Sequence, residues 1–218
     1  MRVVYLFFII FLFLLLLPIF IIIAVFLVVL SGWPIFYVQK RVGKDNRVFL
    51  LYKFRTMERG AEKKQSMVKK LNEADGPVFK IHDDPRYTAF GKFLSHTGLD
   101  ELPQLFNVLK GDMALIGPRP LPVYEFNKLK NWQKKRQTLY PGIISPWILN
   151  GYHNQTFDDW MKSDIEYAQK KNFLSDAVIC GKTCVFLIRL FLRETIQSFG
   201  VLQKDRPAGY SKVSHAKK

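Results

Sequence analysis

Hydrophobic positions follow three different patterns along this chain. The first is continuous: residues 3–30, VVYLFFIIFLFLLLLPIFIIIAVFLVVL, are 28 positions without a charge, well past the roughly 18 to 20 apolar residues of a bilayer-length helix. This predicts a membrane helix. A cleaved signal peptide would carry a shorter apolar region and a small-residue cleavage site, whereas this segment runs into Ser31-Gly32-Trp33-Pro34, so it is expected to be retained. Pro18 divides it into 15 apolar residues before and 12 after. At about 1.5 Å per residue each arm reaches roughly 18 to 22 Å, short of the ~30 Å hydrocarbon core. Proline removes a backbone donor and crowds the preceding turn, which predicts a bend near Leu17. A kinked spanning helix and a re-entrant hairpin both fit. Spanning helices are the commoner; Arg2 at one end and a basic cluster after the other favour the hairpin, because both ends then sit on the positive side.

The second pattern has a period of two. Ile35–Gln39 and Val48–Phe54 are β-rich runs separated by Gly43-Lys44-Asp45-Asn46, which predicts a short hairpin. The third has a helical period. Leu102, Leu105, Phe106 and Leu109 place a helix over 101–109, and Ala177–Phe199 is an apolar run interrupted by Lys182, Arg189, Arg193 and Glu194. The latter is too charged to span and predicts an amphipathic helix in the interface or on the core. Residues 58–73 are charged and helical in composition, while Gly76-Pro77 and Asp84-Pro85 punctuate loops. Cys180 and Cys184, four apart, read as small core residues on one helix face in a reducing compartment. Gln203–Lys218 is polar, basic and expected to be disordered.

Charge narrows the setting. The formal net charge is +15, and Gln39–Arg59 holds seven Lys or Arg against two acids. Such a flank stays cytoplasmic and is drawn to anionic headgroups. Nucleic acid would account for the basicity but not for the apolar segment, so no nucleic-acid partner is expected.

Asp100 and Glu101 are adjacent acids before a helical pattern that includes Pro103. They could cap that helix, with Thr97 and Asp100 resembling a capping box, or perform chemistry. Arg119 lies between Pro118 and Pro120. Prolines on both sides stiffen the backbone, and a guanidinium so held can make bidentate contacts to phosphate at little ordering cost. Lys53 and Arg55 alternate onto one face of the second β run, with Arg59 just beyond, forming either a solvated or an anion-binding face. His82, His96 and His153 lack a ligand spacing, and there is no glycine-rich phosphate loop, zinc signature or nucleophile elbow. Mg²⁺ held by carboxylates and substrate phosphates would leave no such signature.

The apolar segment with its central proline, followed by PIFYVQKRVGKDNRVFLLYKFRTM, DDPRYTAFGKFL, LDELPQLFNVLKGDMALIGPRPL and YPGI, resembles the bacterial sugar transferases, the monotopic phosphoglycosyl transferases, over roughly residues 17–183. The resemblance implies transfer of a sugar 1-phosphate from a UDP-sugar to a polyprenol (undecaprenyl) phosphate with release of UMP, the first step in assembling a surface glycan. It implies Asp100 as nucleophile holding a covalent phosphosugar, Glu101 assisting it in binding Mg²⁺, and Arg119 of GPRP, flanked by Pro118 and Pro120, at the nucleotide. Asp164 and Asp176 fall on further aspartates of the family pattern, and Lys53, Arg55 and Arg86 are candidate phosphate cations. The sequence departs from that pattern at Leu17, where a serine is usual, at Ser95, where an arginine is common, and at Ile144-Ser145 and Tyr152.

The expected fold is α+β: a re-entrant membrane helix over 1–33, a mainly helical cytosol-facing domain with a short β-hairpin and interfacial amphipathic helices over 34–200, and a tail over 201–218. It resembles the family's short form, without an additional multispanning region, at the bacterial inner membrane. Downstream glycosyltransferases are candidate partners. A catalytically silent, membrane-anchored scaffold is the alternative function. The sugar and the oligomeric state are not readable from the sequence.

Overall fold

A computed structural model describes residues 2–149 and 156–198 of the chain. In chain order the elements are helix α1 (Arg2–Ser31), strands β1 (Phe36–Val42) and β2 (Val48–Phe54), helices α2 (Ala89–Thr97) and α3 (Gln104–Lys110), and strands β3 (Ala114–Ile116) and β4 (Leu121–Pro122). Helix α4 (Val123–Phe126), strand β5 (Gly142–Ile144) and helices α5 (Pro146–Leu149), α6 (Phe157–Lys170) and α7 (Phe173–Ser198) complete it. The architecture is thus mixed helix and strand. Tyr152, His153 and the basic tail lie outside the described residues.

The predicted hairpin forms as β1 and β2, antiparallel from Phe36↔Phe54 to Val42↔Val48. Asp45 and Asn46 take left-handed backbone angles in its turn, a conformation that these residue types tolerate. β4 joins the other edge of β1, and β3 pairs in parallel with β5 in a separate two-stranded sheet.

α1 is one continuous helix with Pro18 inside it. It packs on the rest of the chain along its length. Ile9 is buried with Leu51, Val108 and Met113; farther along, Ile23 and Leu27 are buried with Ile35, Phe54 and Leu94. Phe13 and Phe20 bridge these clusters by ring contacts to Phe106. The opposite side of α1, including Phe7, Phe11, Leu15, Ile22 and Val29, is exposed. A third cluster, with Trp147, Phe157, Trp160 and Met161, lies beneath β4 and α4.

Three expectations are corrected. Residues 58–73 form successive turns with i→i+3 hydrogen bonds and a 3₁₀ segment at Lys69–Leu71, not an α-helix. The stretch offers little apolar surface to bury: Ala61 is buried but Met67 is exposed, and an unpacked short helix is marginal in water. The helix predicted over 101–109 begins at Gln104, after a 3₁₀ turn at Leu99–Glu101. Cys184 is exposed on α7 and Cys180 only partly buried, so the pair is not core.

Candidate active site

α2 ends at Gly98, whose φ of 74° lies in the left-handed region that glycine adopts without penalty. That reversal directs the turn Leu99–Glu101 toward β2. Leu99 and Leu102 pack with the cluster containing Ile23 and Leu27 of α1. The two acids are thus held between apolar neighbours anchored against the N-terminal helix.

Neither acid caps α3. The turn has no side-chain cap, and Pro103, which has no cap bond to give, occupies the N-cap of α3. Thr97 Oγ1 donates back to the Phe93 and Leu94 carbonyls, so no capping box forms. Instead, Lys53 Nζ on β2 lies 3.2 Å from Asp100 Oδ2 and 3.0 Å from Glu101 Oε1, and Arg119 Nη1 donates to the same Glu101 oxygen at 2.8 Å. Asp100 and Glu101 are largely buried, whereas the Arg119 side chain keeps a third of its surface exposed.

Burial pushes Asp100 above its ordinary value; Lys53 opposes that shift and Glu101 adds to it. Burial pushes Glu101 up too, but Arg119 and Lys53 together outweigh it and hold Glu101 below its ordinary value. One carboxylate is therefore firmly ionised while its neighbour is poised higher, the divergence that assigns different roles to paired acids.

The Pro118-Arg119-Pro120 segment is tied down carbonyl by carbonyl. The Gly142 amide donates to Pro118 O at 3.0 Å. Arg136 Nη2 donates to Arg119 O at 2.6 Å, and Arg41 Nη1 to Pro120 O at 2.9 Å. Proline has no amide proton, so a segment bracketed by two prolines must be fixed largely through its carbonyls, and all three are engaged. Gly117 and Gly142 allow the approach of β3 to β5: a Cβ on Gly142 would lie 2.0 Å from Gly117 N.

Three cations absent from the sequence reading belong here. Arg41 lines the same small pocket as Lys53, Gln104 and Arg119, and burial together with the Arg119 charge lowers it to about 10. Lys80 is lowered to about 8, first by burial and then by Arg119. Arg136, fully buried, pairs with Asp164 at 2.5 Å. Arg41 could have been found: Tyr37 pairs with Lys53 across the hairpin, and alternation puts Tyr37, Arg41, Leu51 and Lys53 on one face. Arg136 carried no signal, because the run NWQKKRQ reads as solvated.

The remaining predicted residues make other contacts than those to the dyad. β2 ends at Phe54, and Arg55 Nη2 donates to Ser31 O at 2.6 Å and Gly32 O at 2.7 Å, closing the C-terminal end of α1, where a cation is favoured by the helix dipole. Arg59 likewise donates to the Trp33 carbonyl. Arg86 forms a two-point pair with Asp84 at 2.9 and 2.6 Å and donates to Ala61 O, which fixes the loop rather than the dyad. Asp164 is raised to about 6 by burial against the pull of Arg136. Asp176 accepts from the Tyr167 hydroxyl at 2.6 Å and lies 3.9 Å from Lys171. Ser95 Oγ meets the Tyr87 hydroxyl at 2.9 Å.

The buried carboxylate pair is thus contacted by Lys53 and Arg119 and packs, through Leu99 and Leu102, toward the apolar helix α1. The family model for bacterial sugar transferases matches residues 1–190, and the chain belongs to that family. It is 43% identical over 150 residues to the galactosyl transferase CpsE of Streptococcus agalactiae serotype III, covering 68% of this chain and 33% of that one. It is 36% identical over 170 residues to the undecaprenyl-phosphate galactose phosphotransferase of Salmonella typhimurium, covering 74% of this chain and 35% of the other. The uncharacterized sugar transferase EpsL of Bacillus subtilis is 32% identical over 183 residues, 84% of this chain and 83% of EpsL. The chain thus spans about a third of the length of the first two relatives and most of the third.

Proposed function

We propose that this chain transfers a sugar 1-phosphate from a UDP-sugar to a polyprenol phosphate at the membrane surface, in two half-reactions through Asp100. The observation that carries the reading is the cluster of Lys53, Asp100, Glu101 and Arg119, with Leu99 and Leu102 packed toward α1. In the first half-reaction an Asp100 carboxylate oxygen attacks the β-phosphorus of the donor. The new O–P bond forms as the bond to the bridging oxygen breaks, and UMP leaves with the electron pair. In the second, a phosphate oxygen of the lipid attacks the same phosphorus and the Asp100 carboxylate departs unchanged. Arg119, stiffened through its flanking carbonyls, is placed to hold the nucleotide's phosphates with little entropy left to lose, and Arg41 adds positive charge behind it.

A carboxylate attacks a diphosphate only when negative charge is neutralised. Adjacent carboxylates are a donor set that suits Mg²⁺, which takes one or two carboxylates plus substrate phosphates, and Lys53 bridging both acids marks where positive charge is needed. Glu101, with Asp100 beside it, would hold that ion, which supplies charge neutralisation at the diphosphate. The exposed apolar side of α1, together with Phe173, Leu174, Ile188 and Leu192 on α7, supports a monotopic seat in one leaflet with the site at the lipid headgroups.

The test is single-turnover chemistry without acceptor. With Mg²⁺ and a UDP-sugar the protein is expected to release up to one UMP per chain and to carry the phosphosugar on a peptide containing Asp100. Asp100→Asn, nearly isosteric, should abolish both signals with folding intact. UMP release that strictly requires polyprenol phosphate would favour direct attack by the lipid, and no release with acceptor present would favour the silent scaffold.

A further inference from the structure

We propose that His82, Asp83 and His96 form a second cation site, for a borderline first-row divalent ion such as Zn²⁺, separate from the carboxylate dyad. This inference does not rest on the transferase reading. His82 Nδ1 and His96 Nε2 lie 3.2 Å apart, close to the roughly 3.3 Å that separates two nitrogens bound at about 2.0 to 2.1 Å to one tetrahedral ion. Asp83 Oδ1 lies 3.9 Å from His96 Nε2, and the ligand atoms of the three residues all fall within 4.8 Å of one another. His82 and Asp83 are adjacent and His96 lies 14 residues beyond His82, which is no standard ligand spacing; the loop before Asp84 and the last turn of α2 bring them together.

The surroundings of His96 point to a ligand. Its side chain is only 8% exposed, and its Nδ1 faces Glu194 Oε2 of α7 at 3.4 Å. With the proton on Nδ1 toward that carboxylate, Nε2 presents its lone pair to a metal, the usual outer arrangement of metal-bound histidines; without an ion, Nε2 can instead donate to the His82 carbonyl. On that other side, Nε2 looks toward the His82 carbonyl oxygen at 3.0 Å and the Asp83 carboxylate, which are acceptors that a cation between them would satisfy. Two imidazoles and a carboxylate suit Zn²⁺, Co²⁺ or Fe²⁺ and disfavour Mg²⁺, which takes oxygen ligands. Lys92 holds Asp83 at 2.5 Å, but both side chains are about half exposed or more, and an exposed pair yields Asp83 at little cost. A bound ion would tie the 82–84 loop, α2 and, through Glu194, α7 together just ahead of the turn that carries Asp100.

Chelator-treated full-length protein in detergent or nanodiscs, titrated with Co²⁺, tests this. One equivalent is expected to produce visible d–d bands that Zn²⁺ displaces and excess Mg²⁺ does not, and the bands should persist in an Asp100→Asn/Glu101→Gln variant. His82→Asn and His96→Asn should each abolish them, and Glu194→Gln should weaken affinity by about 10- to 100-fold. Zn²⁺ should also raise the thermal unfolding midpoint of the parent protein but not of His82→Asn, a loop substitution that decides the matter even where His96→Asn misfolds. Absence of the bands, bands that survive both histidine replacements, or bands lost with the dyad would each overturn the site.

Discussion

At the scale of single residues, the dyad is asymmetric: Glu101 takes contacts from both Lys53 and Arg119, while Asp100 has the lysine. Lys53 is therefore the main cation opposing burial at Asp100, with Arg119 adding less. Replacing it with methionine keeps much of the side-chain volume but removes that support, so the acid limb of the first half-reaction is expected to move to higher pH while turnover falls. The sign follows from the charges: a raised Asp100 stays protonated, and not nucleophilic, to a higher pH. An unmoved acid limb in a pH–rate profile would show that Asp100 does not titrate in the step. Arg119 makes a different demand. Lysine there keeps the charge and loses the planar fork, so kcat/KM for the UDP-sugar should fall roughly tenfold or more, about 1.4 kcal/mol, with little change in stability. Equal kcat/KM would reduce Arg119 to a loop residue.

At the scale of elements, the GPRP segment owes its rigidity to side chains from β1 and the 133–138 region, and the buried Arg136–Asp164 pair is the costly part of that support. Breaking one partner strands the other: Arg136→Met is expected to lose about 3 to 5 kcal/mol of stability. The double variant Arg136→Met/Asp164→Leu should regain much of that in a denaturant melt yet stay slow in turnover, because the Arg119 carbonyl has still lost its donor. Recovery of both together would make the pair purely structural. Burial raises Asp164 to about 6 in the folded chain, against ~3.9 unfolded, so the folded state binds the extra proton between those values. Its contribution to stability is full below about pH 4 and lost as pH rises through 6, and the double variant should lack that dependence. These same elements show what was legible. The hairpin was, because period-two alternation and a turn cluster agree; the dyad was so only in part, because two acids just before a helix read equally as caps until Lys53 and Arg119 are seen on them. The 58–73 stretch misled, since helix-favouring composition without an apolar stripe leaves nothing to pack. Arg136 was hidden because its partner lies in another element, and an isolated basic run looks the same whether solvated or buried.

At the scale of the molecule, the apolar character of α1 was plain in the sequence, but which side faces protein was not, since a helix apolar all round carries no face preference. The packing supplies that face and bears on topology. Near one end, the Leu115 amide donates to the Tyr5 hydroxyl at 2.9 Å and Ile9 is buried; near the other, Leu27 is buried and Arg55 holds the Ser31 and Gly32 carbonyls. A helix of 30 residues is about 45 Å long at ~1.5 Å per residue, longer than the ~30 Å hydrocarbon core. Standing across the bilayer, it could touch a domain on one side through one end only. Contacts at both ends instead predict that both ends of α1 lie on the domain's side of the bilayer, with its exposed face toward lipid. The expectation is that both ends of α1 face the cytosol. Arg2→Cys, made in a background with Cys180 and the exposed Cys184 replaced by serine, should resist a membrane-impermeant thiol reagent in intact cells and react once the inner membrane is permeabilised. A reporter cysteine at Lys44, in the turn after β1, should behave identically. Labelling of position 2 in intact cells, with position 44 still protected, would mean that α1 spans the bilayer and that its N-terminal half leaves the domain it packs on here.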